Sequence, residues 1–91
     1  MVRVRRIVRI SGRVQGVFFR AWVREQAEGL GLAGWVRNCA DGTVEAELEG
    51  EEDVVSQMID RMQSGPPLAR VDDLEVEASE PLLARSFTVR H

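Results

Sequence analysis

Two glycines and an arginine punctuate the stretch Gly12-Arg13-Val14-Gln15-Gly16-Val17-Phe18-Phe19-Arg20, and together they could hold an anion. Glycines let the backbone curl closely round a ligand, and at a strand-to-helix turn the free N–H groups of the helix start point at it. Arg20 adds a planar, permanently charged fork able to grip two phosphate oxygens at once. The chemistry implied is phosphate binding, with Gly12, Arg13, Val14, Gln15, Gly16 and Val17 as the loop and Arg20 as the principal cation. A Gly-x-x-x-Gly spacing is common on its own. Here it is joined by Gly34-Trp35-Val36-Arg37-Asn38, then Asp41-Gly42-Thr43-Val44, and Gly50.

Positioning such a loop requires a strand before it and a helix after it. Val4, Val8 and Ile10 alternate with Arg5, Ile7 and Arg9 over residues 4–11, the pattern of a half-buried strand, with Arg6 out of parity. From Phe18 to Leu30 the period lengthens: Phe19, Trp22, Val23, Ala27 and Leu30 share one helical face, and Gly29 and Gly31 stop it. Residues 32–38 and 43–49 predict two strands joined at Asp41-Gly42. In the second of these, Val44, Ala46 and Leu48 alternate with Glu45, Glu47 and Glu49. Another helix follows Gly50, with acidic residues in its first turn and Val54, Val55, Met58, Ile59 and Met62 inward, and Gly65-Pro66-Pro67 ends it. Strands over 71–78 and 86–90 complete the order. Strand, helix, strand, strand, helix, strand, strand predicts an α/β sandwich of the ferredoxin-like, split βαβ kind. It has a mostly antiparallel five-stranded sheet with both helices on one face.

The 91 residues, 44% hydrophobic and 30% charged, predict one domain over residues 1–91 with a single core. No apolar run approaches the roughly 20 residues that cross a bilayer, and no leader-like segment opens the chain, so the expectation is a cytoplasmic protein that keeps clear of membranes. One cysteine and one histidine offer neither an intramolecular disulfide nor a transition-metal cluster, so no metal and no cofactor are expected. The net charge of −3 argues against a nucleic-acid binder.

The two motifs resemble those of the acylphosphatase family. Gly12, Val14, Gln15, Gly16, Val17, Phe19 and Arg20 match its first motif, and Gly34, Trp35, Val36, Arg37, Asn38, Gly42, Val44 and Gly50 its second. The likeness extends to Phe87-Thr88-Val89-Arg90. The resemblance implies a ferredoxin-like fold, metal-independent hydrolysis of acyl phosphates to carboxylate and inorganic phosphate, catalytic Arg20 and Asn38, and an Asn38 that positions the attacking water. It also places the first strand between the third and fourth, so that Arg5 and Arg9 pair with glutamates on both sides of an exposed sheet face. Chemistry without a general acid fits this substrate: the carboxylate leaving group has a conjugate acid of pKa about 4–5 and departs unprotonated. Phosphoryl transfer then rests on positioning and electrostatics, and an amide such as Asn38 orients water without being a strong base.

Competing readings attach to the same fold. An RNA-binding sheet stacks bases on aromatic residues of its open face, whereas this face is read as Arg5, Ile7, Arg9 and glutamates. A phosphate-sensing or interaction module would keep Arg20 and the loop but make Asn38 dispensable. A third reading, a module of the kind found in larger hydrogenase-maturation carbamoyltransferases, is opposed by the chain's short length. The partner expected is therefore a small acyl phosphate bound by a monomer. Trp22, Trp35, Phe18 and Phe19 are read as core or pocket wall. Cys39, with no histidine placed to activate it, is not read as a nucleophile, and His91 is read as a frayed end.

Overall fold

The alternation in the first strand sets the layout. In the computed structural model, which describes residues 2–91, the elements are β1 (Arg3–Arg13), α1 (Phe19–Gly29), β2 (Ala33–Asn38), β3 (Val44–Glu51), α2 (Glu52–Ser64), β4 (Arg70–Ser79) and β5 (Phe87–Arg90). The strands form one sheet in the order β4-β1-β3-β2-β5, antiparallel throughout except where β5 runs parallel to β2. This is the expected split βαβ sandwich. Val8 faces Ala46, which faces Val36 in turn, so even-numbered residues of three strands make one apolar surface. Phe19, Val23 and Ala27 of α1 and Val55, Met58 and Met62 of α2 close over it in one cluster. The out-of-parity Arg6 reaches Glu52 in the first turn of α2, at 3.6 Å.

Three differences from the sequence-based expectations follow from local geometry. First, β1 does not end at Ser11. A bulge between Ser11 and Gly12 lets pairing with β4 resume, with Gly12 opposite Val71 and Arg13 opposite Arg70, so the connecting loop shrinks to residues 14–18. Second, Phe18 has a left-handed φ of 61° and stands before α1 rather than in it.

Third, the face opposite the helices is not open along its whole length. Arg5 is 2% exposed and Glu49 0%, because the connection between β4 and β5 crosses them. The Leu82 N–H donates to Glu49 Oε1 at 2.8 Å, and Arg3 Nη2 donates to the carbonyl of Ala84 at 2.8 Å. The arginines of this face pair with the glutamates of β3: Arg5 bonds Glu47 at 2.6 Å and Glu49 at 2.8 Å, while Arg9 and Arg37 share Glu45 at 2.6 and 2.7 Å. Among the described residues, Glu75 and Glu77 of β4 form no ion pair, although they stand opposite Arg9 and Ile7. Trp35 belongs to this same face, opposite Glu47, and is buried beneath the guanidiniums of Arg37 and Arg90, 5.4 and 4.6 Å from its ring centroid.

Candidate active site

Residues 14–18 bend from the end of β1 into the start of α1. Gly16 has φ 73° and Phe18 φ 61°, with Val17 between them at an ordinary negative φ. Alternation of this kind turns successive N–H groups to one side, forming a concavity that suits an anion. Phe18 offers α1 no side-chain cap and the first turn holds no acidic residue, so the positive helix end is left unopposed. A cleft of about 440 Å³ opens here, lined by Val14, Gly16, Phe18, Arg20, Asn38 and His91 among others.

Arg20 enters the cleft from the second residue of α1. Its Nη1 lies 3.2 Å from the carbonyl oxygen of Arg90, to which it donates, and 3.2 Å from His91 Nδ1. The Arg90 guanidinium in turn rests on Trp35, so β5 is clamped to β2 at the point where it holds Arg20. Asn38, the last residue of β2, presents an exposed side chain to the same cleft.

Gln15 joins the two halves of the site. Its Nε2 donates to the carbonyls of Cys39 at 2.8 Å and Thr43 at 2.9 Å. Those residues belong to the β2–β3 turn that begins immediately after Asn38. The turn is itself closed by Cys39 N–H to the Thr43 carbonyl at 2.8 Å and by Asp41, whose carboxylate accepts from the Thr43 hydroxyl and amide. Those two bonds, the hydroxyl foremost, hold the Asp41 carboxyl below its usual range. Cys39 thus contributes its backbone to the site.

The fold therefore brings Val14, Gly16, Arg20 and Asn38 to one cleft. It places Gly12 and Arg13 in β1, turns Val17 into the core at 6% exposure, and commits the Gln15 side chain to the neighbouring turn. Sequence reasoning left His91 as a frayed end, whereas it lies against Arg20. The parallel pairing of β5 with β2, which carries His91 there, has no local signature, since Phe87 and Val89 show only parity.

Comparison with known proteins shows the family and the fold. The family model "Acylphosphatase" matches residues 6–89. An acylphosphatase of Rhodospirillum rubrum is 63% identical over 70 residues, 77% of this chain and 77% of that protein. One of Thermococcus kodakarensis is 51% identical over 89 residues, 98% of each. The crystal structure of acylphosphatase from Bacillus subtilis superposes with a TM-score of 0.92 at 35% identity, covering 97% of this chain and 99% of that one.

Proposed function

The chain belongs to the acylphosphatase family and hydrolyses acyl phosphates, and we propose that the cleft between the 14–18 loop, Arg20 and Asn38 carries out that reaction. The observation behind this reading is the convergence, in one cleft, of an uncapped helix start, a permanent cation and an exposed amide, with no aspartate or glutamate among the described residues that line it. The loop N–H groups and the Arg20 fork hold the equatorial oxygens of the phosphoryl group, where charge gathers in a loose transition state. The amide of Asn38 orients a water in line with the bond to the leaving carboxylate. That leaving group departs unprotonated, and the proton of the water passes to a phosphate oxygen, so neither metal nor general base is required. Inorganic phosphate is the second product.

The reading extends to a single-domain monomer working in the cytoplasm. One core shared by both helices and the sheet supports the first part. The exposed edge strand β4 carries Asp72, Asp73, Glu75 and Glu77, charges that oppose edge-to-edge pairing between copies. No helix among the described residues is long and apolar enough to cross a membrane. Hydrolysis in oxygen-18 water with a chelator present tests the chemistry. Attack at phosphorus puts the label in phosphate; label in the carboxylate, or turnover abolished by the chelator, contradicts it.

A further inference from the structure

The phosphate cleft shares a wall with a second cavity of about 360 Å³, lined by Phe18, Ala21, Trp22, Glu25, Pro66 and Leu68 among others. Phe18 and Ala21 border both. Arg20 and Arg24 sit on the first side of α1, and Trp22 and Glu25 on the other. The divide between the two spaces is thus one methyl group and one aromatic ring.

Three observations give this groove a use. Phe18 is 79% exposed and Leu68 69%, large apolar side chains that earn no packing stability where they stand. The left-handed backbone at Phe18, needed for the loop, throws its ring outward to the rim of the phosphate cleft. The walls are also preformed: Trp22 packs edge-to-face on Phe19 at 5.7 Å, and the Ala69 N–H donates to the Pro66 carbonyl at 3.0 Å, fixing the turn that bears Leu68.

We propose that this groove binds the acyl group of the substrate and makes the enzyme selective for acyl phosphates with an uncharged, apolar acyl part. The inference rests on the catalytic reading above. In-line attack puts the leaving group on the side of phosphorus opposite the water, hence away from Asn38, which borders only the first cavity. Because Phe18 and Ala21 border both spaces, an aromatic or branched acyl group attached to a held phosphoryl group reaches over Phe18 towards Leu68. Glu25 in the lining repels an acyl group ending in a second carboxylate.

The test compares kcat/KM for benzoyl phosphate and acetyl phosphate in the native chain, in Phe18→Asn and in Leu68→Ser. Asparagine accepts the left-handed backbone at position 18 while removing the ring. Leu68→Ser leaves the loop untouched and serves where the first variant does not fold. The native chain favours benzoyl phosphate, and the ratio falls about tenfold in Phe18→Asn and about threefold in Leu68→Ser, the scale of a partial loss of apolar contact in an open pocket. The inhibition constant of inorganic phosphate stays at its native value in Leu68→Ser. Turnover by the native chain with a ratio unmoved in both variants, or both substrates declining in step, overturns the groove alone. No turnover of either substrate by the native chain overturns the catalytic reading and this proposal with it.

Discussion

The side-chain amide of Gln15 donates to the carbonyl of Cys39 at 2.8 Å, tying the phosphate loop to the residue that follows Asn38. In the proposed mechanism this tie helps to set how far the phosphoryl group stands from the water held by Asn38. Gln15→Leu keeps the bulk and removes the tie. Both carbonyls it releases retain a backbone donor, Gly42 N–H for Cys39 and Cys39 N–H for Thr43, so stability falls by only about 1 kcal/mol. The expected result is a kcat about tenfold lower with phosphate inhibition changed less than threefold, read from steady-state kinetics beside a thermal melt.

Gly12 and Gly16 share a motif but serve different ends. A Cβ at Gly12, where φ is 122°, would lie 2.2 Å from the Arg70 carbonyl oxygen across the bulge; at Gly16 it meets nothing within 4 Å. Gly12→Ala is expected to cost about 3 kcal/mol or more, with a clear fall in melting temperature. Gly16→Ala costs about 1–2 kcal/mol for its left-handed backbone and leaves the fold intact. Its methyl group enters the cleft, so phosphate inhibition weakens by about tenfold or more. Melting curves and phosphate titrations on the same two proteins separate the roles.

Burial alone would raise the Glu49 carboxyl, but the Leu82 amide and the guanidiniums of Arg3 and Arg5 outweigh it and bring the pKa from 4.5 to about 2. A depressed pKa stabilises the fold above the unfolded value and loses that contribution as pH falls through the folded value. Stability is therefore expected to be level above pH 5 and to decline between about 4.5 and 2. Glu49→Gln removes the Glu49 share of this acid sensitivity. At neutral pH it destabilises by about 3 kcal/mol, because Arg5 stays buried with one partner fewer. Denaturant melts across pH 2–7 check both.

Residues whose neighbours are close in sequence disclosed themselves there. Alternation in Val44-Glu45-Ala46-Glu47-Leu48-Glu49 and the helical spacing of Phe19, Val23 and Ala27 reflect contacts decided by local period, and both elements stand where that period put them. Trp35 is buried, as an aromatic in a strand ordinarily is, but its parity puts it on the face of Glu47 and under two arginines. Burial of Arg5 and Glu49 depends on the 80–86 connection crossing the sheet, a path without periodicity of its own. That Arg20 and Asn38 share one cleft was legible from their motifs. The Gln15 tie and the Arg90 carbonyl behind Arg20 were not, because both join backbone atoms to side chains from distant segments.

The division of labour between Arg20 and Asn38 is tested most directly by measuring acyl phosphate hydrolysis and inorganic phosphate binding together, under chelator, for the native chain, Arg20→Ala and Asn38→Ala. Turnover lost by a factor of about 100 or more in both variants, with phosphate binding weakened in Arg20→Ala and kept in Asn38→Ala, is the result expected. Turnover that survives Asn38→Ala, or phosphate binding that survives Arg20→Ala, contradicts the account.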